Sequence, residues 1–471
     1  MQSKQIKQRK PARPLVKRWI AALAIIAGVG LGVWIWYAAV TAPPPDLWYK
    51  QTSNDVIEES IWSDGTAIYT CGSKNTDALD SLVLTKRDVA GNILWQRAWN
   101  EGSNHSEGYS VWGDGGAIYA FGLSRLNLVI VKWDAATGTQ IWNQTEWHSY
   151  QNDFSARSIF GANASIYTCA FFPYIHAAKL AIAKWNGTTG TVLWQREWKG
   201  VDATYGCSVW ADASFVYTAG YMDNSTTHMH EQVLIKWDTE GNQLWNRTWG
   251  RVNDQTMDLE SSGVSVWGDV TGNSYTLGST ITPSTSQSNK TDMMLVKWDA
   301  GGDQIWNRTW GGNLNEFGES IWGNGTDIYT AGSLSPWSRM TMILVRWNNN
   351  GNQQWNQTWG SDRSPSYGRS IWGYGTSLYS CADHYIIRWD AVTGATQHII
   401  DIDWVFVFIV YGSIVGVTIV VLVGGPAIER AIKKPRKRKT KEVLPKCPRC
   451  GYVCQPGWTE CPICNTSLGK Q

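Results

Sequence analysis

The chain has 471 residues, 31 of them Trp, with 17% charged residues and a formal net charge of +2. That length accommodates one large repeat domain with appendages, or two to three ordinary domains. So much aromatic and apolar surface excludes an intrinsically disordered chain.

The near-neutral total conceals a segregation of charge. Residues 1–18 and 430–471 together carry 18 Lys/Arg against 2 Asp/Glu, whereas residues 46–401 carry 23 against 35. Oppositely charged segments of this kind belong in different surroundings.

In chain order, a basic segment (1–18) precedes Trp19–Val40, 22 residues without a charge. About 20 apolar residues in a helix cross a bilayer core, so a transmembrane helix is predicted over 19–41. A cleaved signal peptide has a shorter apolar core of about 7–15 residues, and Pro43, Pro44 and Pro45 directly follow Ala42. The segment is therefore read as an uncleaved signal anchor. A second apolar run, Trp404–Gly425, predicts another span over 403–425. A basic linker follows over 430–445, with the run PRKRKTK at 435–441.

Lys and Arg collect on the cytoplasmic side of membrane spans. Both termini are thus expected in the cytoplasm, and residues 46–400 outside the plasma membrane. Neither apolar run, Trp19–Val40 or Trp404–Gly425, carries a charged residue that would mark a relay or transport path. The basic run is read as a topology determinant touching anionic lipid rather than as a nucleic-acid site. Ten Asn-X-Ser/Thr sequons between Asn104 and Asn356 agree with an outer location.

Residues 46–400 are built from one unit seen seven times: an S-x-W segment, an I-Y-T-x-G segment, a V-K-W-D segment and an L-W-N-x-T segment. The first anchor falls at Trp62, Trp112, Phe160, Trp210, Trp267, Trp322 and Trp372, and the second at Tyr69, Tyr119, Tyr167, Tyr217, Tyr275, Tyr329 and Tyr379. Arg87, Trp133, Trp185, Trp237, Trp298, Trp347 and Trp389 mark the third. Trp95, Trp142, Trp194, Trp245, Trp306 and Trp355 mark the fourth. Four Val-, Ile-, Tyr- and Thr-rich segments per unit, broken by Gly and Asp/Asn, predict four-stranded blades. The fold expected is all-β, a seven-bladed β-propeller flanked by two transmembrane helices.

The seventh unit lacks a fourth Trp, while Leu47-Trp48-Tyr49 precedes the first unit as LWN precedes others. An N-terminal strand is therefore expected to complete the last blade and close the ring. First-to-second and third-to-fourth anchor spacings are nearly constant, whereas the other two vary. In a blade of alternating strands the two variable loops emerge on one face. That face is the expected binding surface.

Strings such as WDAATGTQIW (133–142) and WNGTTGTVLW (185–194) resemble the repeats of cell-surface β-propellers of the bacterial and archaeal type called SBBP. They also resemble the tryptophan-docking repeats of pyrroloquinoline quinone dehydrogenases. The resemblance covers about residues 46–400 and specifies the blade. The dehydrogenases use eight blades, a calcium-bound quinone, a catalytic acid and a pair of adjacent cysteines. This chain has seven units and no adjacent cysteines, so no enzyme is expected and no catalytic residue is assigned.

Near the C-terminus, Cys447, Cys450, Cys461 and Cys464 form two C-x-x-C knuckles. Four thiolates in this layout suit one tetrahedral structural zinc, and a zinc ribbon is predicted over 446–468. The alternative, a disulfide pair, conflicts with the reducing side on which the basic flank places these cysteines. Cys454 is spare.

Of the outer cysteines, Cys71, Cys169 and Cys381 share one place, two residues after the strand Tyr, and are read as core; a Cys169–Cys207 disulfide is the alternative. The Trp rows are read as packing between blades, with Trp337 the one loop Trp suited to a ligand platform. His228-Met229-His230 has no visible partner ligand for a metal. The expected function is binding of an extracellular protein or glycan through the variable face, with the ribbon serving a cytoplasmic protein partner. An envelope scaffold without signalling and a quinone-dependent oxidoreductase are the alternatives.

Overall fold

A computed structural model describes residues 48–396 except 54, 76–78, 126, 147–154, 173–177, 225–228, 254–263, 283–289, 336–339 and 361–365. It also describes 447–450, 459–460, 464 and 466–468. The two predicted spans lie outside the described residues, among which no helix is long and apolar enough to cross a membrane. The chain divides into two units, residues 1–400 and 401–471.

The first unit is a seven-bladed propeller of four-stranded antiparallel sheets. Blade 1 comprises Val56–Ser63, Ala67–Lys74, Ser81–Asp88 and Ile93–Trp99, in that order from the axis outward, and blades 2 to 6 repeat the pattern. The first strands contact one another around the ring and are innermost. Middle strands are buried on both faces: Tyr69, Cys71, Leu82 and Leu84 of blade 1 pack against Val129, Val131 and Trp133 of blade 2. The core is therefore a set of inter-blade layers.

Blade 7 closes as its sequence predicts. Its outer strand is Tyr49–Gln51, paired with Tyr385–Asp390 so that Tyr49 lies opposite Ile387 and Gln51 opposite Tyr385. Trp48 takes the missing fourth anchor. Its Nε1 donates to Val89 O of blade 1 at 2.9 Å, as Trp142 donates to Thr188 O and Trp194 to Thr239 O of their next blades, each at 3.0 Å. Closure completes the last sheet to four strands, so that each blade keeps only its short outer edge.

The S-x-W signature has a direct physical cause. Each of its serines accepts the backbone N–H of the residue that precedes the first anchor in the next blade. Val111 N lies 3.2 Å from Ser60 Oγ, Ile159 N 3.2 Å from Ser110 Oγ and Val209 N 3.2 Å from Ser158 Oγ. Val266 continues to Ser208, Ile321 to Ser265 and Ile371 to Ser320. Ile61 N then bonds Ser370 Oγ at 3.4 Å, which joins blade 7 to blade 1. Each such bond contributes about 1 kcal/mol net, and each satisfies an inner-strand donor that has no strand partner on the axial side.

The first-anchor aromatics follow one residue later. Five of the six Trp rings lie where the next blade carries Gly, and the sixth, Trp372, meets Ser63 of blade 1, donating its Nε1 proton to Ser63 O at 3.0 Å. A Cβ on Gly161 would stand 2.3 Å from the Trp112 ring, one on Gly268 2.3 Å from Trp210, and one on Gly373 2.3 Å from Trp322. The smaller Phe160 is followed around the ring by Ala211 instead. Side-chain volume is thus matched pairwise across blades. Phe160, Trp267 and Trp372 lie with ring centroids 5.8–6.3 Å apart, a separation that only residues leaning over the axis can reach from blades 3, 5 and 7. These rings fill the axis.

Third-anchor Trp residues are buried, and their Nε1 groups bond a Thr on the second strand: Trp185 to Thr168, Trp237 to Thr218, Trp298 to Thr276 and Trp347 to Thr330, at 2.9–3.0 Å. Blade 1 departs from this. Arg87 replaces the Trp, and Thr70 Oγ, Arg87 Nε and both Glu58 carboxylate oxygens are buried without hydrogen-bond partners. Glu58 also stands where other blades carry Gly or Ala. The closure seam between blades 7 and 1, packed by Trp48, Ile61, Tyr379 and Cys381, therefore contains a buried charged pair. Burial pushes the Glu58 carboxyl up to about 6, with Arg87 and then Thr70 opposing that rise.

Two outcomes are expected. Gly161→Ala destabilises by about 1–3 kcal/mol through overpacking, and combination with Trp112→Phe recovers part of that loss, as the Phe160–Ala211 pair implies; denaturant unfolding of both variants measures the coupling. At the seam, the folded state holds the Glu58 proton more tightly than the unfolded chain. Its contribution is full below pH 4.5 and about 2 kcal/mol is lost as pH rises through 6. Replacing Glu58→Gly with Arg87→Trp, which gives Thr70 a donor, is expected to match or exceed wild-type stability by about 1–4 kcal/mol at pH 7.5 and to abolish that slope. Arg87→Trp alone strands the carboxylate and costs roughly 3–5 kcal/mol.

Candidate functional site

A β-bulge recurs at one point of the innermost strand. It falls between Glu58 and Ser60, Gly108 and Ser110, Ala156 and Ser158, Gly206 and Ser208, Gly318 and Ser320, and Gly368 and Ser370. A bulged residue leaves the ladder and its side chain is re-aimed. The residues concerned are Glu59, Tyr109, Arg157, Cys207, Glu319 and Arg369, and Val264 holds the same motif position in blade 5. The flanking Gly and Ser are nearly invariant from blade to blade, while this one position changes in charge, size and polarity.

An ion pair joins two neighbouring members of this set, Glu59 and Arg369. Arg369 reaches blade 1, with Nη1 3.2 Å from Glu59 Oε2, and its Nε lies 3.2 Å from Asp383 Oδ1. Tyr109 donates its hydroxyl proton to Glu107. Burial pushes the Glu319 carboxyl up to about 8, opposed by Arg369 and by Arg157 of blade 3 and reinforced by Glu59. Burial likewise raises the Cys207 thiol, with Arg157 opposing and Glu319 reinforcing the rise. Solvent reaches the group, since the side chains of Arg369 and Glu59 are 38% and 22% exposed.

The bulges lie toward the strand starts, hence on the face of the variable loops. The aromatic belt lies below them. On the same face of blade 4 a shallow cleft is lined by Trp198, Val201, Met222, Asp223 and Glu231, with Val201 88% exposed. The opposite face is monotonous because its turns are locked into neighbouring blades. Lys132 Nζ bonds Gly187 O at 2.7 Å, and Arg247 bonds Gly302 O and Gly301 O, each at 2.9 Å.

In the second unit, the sulfurs of Cys447, Cys450 and Cys464 lie within 4.8 Å of one another, and Cys447 Sγ is 3.6 Å from Cys464 Sγ. Cys461 lies outside the described residues. Cys447 is buried against Leu468. The Thr466 hydroxyl, 3.1 Å from Cys464 Sγ, is the leading cause that draws this thiol down to about 6, with the neighbouring thiols adding to it. Three thiols so gathered, one of them readily ionised, can hold a metal ion.

Other sequence candidates separate. Cys71, Cys169 and Cys381 are buried free thiols in the core, and Cys207 is a free thiol in the axial ring. His230 is buried with Nδ1 2.6 Å from Asp223 Oδ1, and belongs to no metal cluster among the described residues. His228 and Trp337 lie outside the described residues. The axial ring was missed by sequence reading. The signal was present in the string G-x-S-x-W, whose first x varies while its neighbours do not.

No protein-family model and no curated protein matches the chain. Among solved structures, it is similar to the Dos1 propeller at 12% identity, covering 75% of this chain and 84% of that one with a TM-score of 0.43. It is similar to the quinohemoprotein alcohol dehydrogenase ADHIIG of Pseudomonas putida HK5 at 9% identity, covering 75% and 77% with a TM-score of 0.42. It is also similar to the polysaccharide lyase Uly1 at 9% identity, covering 71% and 90% with a TM-score of 0.44. A likeness at this level concerns the fold and says nothing of activity here.

Proposed function

We propose that the chain is a membrane-anchored cell-surface propeller that binds an extracellular protein or glycan partner through its variable-loop face. One observation carries this reading. The described propeller begins at Trp48 and ends at Thr396, and both lie at the same end of the outer strand of blade 7: Arg388 N donates to Trp48 O at 2.8 Å, and Thr396 Oγ1 donates to Arg388 O at 2.8 Å. That end belongs to the face of the locked turns. Two apolar stretches continue from these points in sequence, so anchoring them in a bilayer turns the variable face and the axial ring away from it. Exposed aliphatics near the locked-turn side of the outer strands (Leu94, Ile141, Leu193, Leu244 and Ile305) suit a membrane-proximal rim. Asn143, Asn246 and Asn356, exposed on outer strands, are the sequons best placed to carry glycans.

Cys447, Cys450, Cys461 and Cys464 would hold one structural zinc as a closed four-thiolate site, which orders a short segment that has almost no core of its own. Such a ribbon is suited to a cytoplasmic protein partner. No arrangement among the described residues favours the quinone-dependent alternative.

Full-length protein in lipid nanodiscs is expected to capture a saturable envelope component. Exchange of Lys199–Asp202 for a Gly-Ser segment should weaken capture at least tenfold without lowering the melting temperature. Capture that survives exchange of every variable loop contradicts the reading. For the tail, elemental analysis is expected to give about one zinc per chain, and a paired Cys447→Ser and Cys464→Ser variant close to none; unchanged zinc content in that variant would remove the ribbon.

A further inference from the structure

We propose that Asn246 carries an N-linked glycan whose first, neutral sugars lie in the cleft of blade 4 against the ring of Trp198. The proposal rests on the outer location of the propeller put forward above, and adds to it a modification site and the surface that receives the sugar.

The cleft has a simple origin. Along the outer strand Gln243–Asn253, alternate side chains leave opposite faces. Trp245 and Arg247 turn to blade 5, where they donate to Ala300 O at 3.3 Å and to Gly302 O at 2.9 Å. Asn246 and Thr248 therefore turn to blade 3. The facing strand there, Val192–Trp198, presents Trp194, Arg196 and Trp198. Trp194 and Arg196 clamp the turn of blade 4 through Thr239 O at 3.0 Å and Gly241 O at 3.1 Å, which shuts the groove at its locked end. Trp198 stands at the other end, half-buried, where the two strands leave a cleft of about 720 Å³. That volume falls among ordinary small-ligand sites, about 300–1,000 Å³. Asn246 and Thr248, the outer members of the sequon Asn246-Arg247-Thr248, both line it and are exposed.

A sugar joined to the Asn246 amide nitrogen starts inside this cleft rather than in bulk water. Trp198 and Met222 give it an apolar wall, on which the carbon-bound hydrogens of a sugar face can lie. Asp202 and Glu231 set carboxylate acceptors beside that wall for sugar hydroxyls. With Asp223 they outnumber Lys199, the one cation among the described lining residues. An acidic sugar is therefore repelled, and a neutral one fits. Blade 2 supplies the contrast. Its sequon Asn143-Gln144-Thr145 holds the same strand position, but the facing Trp99 is buried and Thr145 Oγ1 donates to Glu101 Oε1 at 3.1 Å. A glycan on Asn143 finds that end of its groove already filled.

The test produces the full chain in mammalian secretory cells, holds it in lipid nanodiscs and maps sugar occupancy by glycopeptide mass spectrometry. Asn246 is expected to be occupied in most molecules. Peptide N-glycosidase acting on the folded protein is expected to release that glycan at least tenfold more slowly than from the Trp198→Ala variant, and the two should release alike after denaturation. If Trp198→Ala does not fold, Asp202→Asn combined with Glu231→Gln should still speed release at least threefold. A bare Asn246 beside other occupied sequons overturns the proposal, and so does release from the wild-type chain as fast as from the variants. In either of those outcomes, capture of an envelope component by the same preparation leaves the broader binding reading standing. Absence of sugar at all ten sequons contradicts the outer location as well.

Discussion

Seven serine hydroxyls hold the innermost strands of this propeller together. Each accepts a backbone N–H from the next blade, and the seventh hands the chain back to the first. The bond constrains more than distance. It places five of the six first-anchor Trp rings over the next blade's glycine, which leaves no room for a Cβ at that point. In six blades a bulge also falls one residue before the serine, and it re-aims the side chain at that position. Scaffold and site therefore come from the same five-residue string.

That coupling explains how a monotonous frame can carry an individual surface. On one face, Lys, Arg and Trp side chains clamp the turn of the next blade, so those turns must keep their length and their Gly. On the other face nothing in the ring depends on loop length. The bulge residues lie on that second face, and their identity changes from blade to blade. Charge accumulates there, with Arg369 locked between Glu59 and Asp383. The seam between blades 7 and 1 is the exception within the frame. There Glu58 and Arg87 replace Gly and Trp, which makes the closing interface the polar one and ties its strength to pH.

Much of this was legible in the sequence. The sevenfold repeat and the transfer of Trp48 to the last blade could be read because strand anchors recur at fixed spacing and a missing anchor must come from somewhere. Core placement of Cys71, Cys169 and Cys381 followed from their shared register. The axial ring could not be read so directly. A bulge shifts the alternation of a strand by one, so Glu59 and Arg157 sit at positions that simple alternation assigns to a sheet face. The roles of Ser60 and its equivalents were equally hidden, since a serine in a strand looks like a solvent-facing polar residue until its partner in the next blade is known. For the C-terminal cysteines the spacing was informative, since Cys447, Cys450 and Cys464 are found together.

Amide hydrogen exchange at the seven residues that donate to the serine ring tests the closed-ring account most directly. Ile61, whose acceptor Ser370 lies at the far end of the chain, is predicted to exchange as slowly as Val111, Ile159 and Val209, and all should open together in one cooperative unit. Exchange at Ile61 faster by orders of magnitude than at those neighbours would show that blades 7 and 1 do not hold each other, and the closed ring would be wrong.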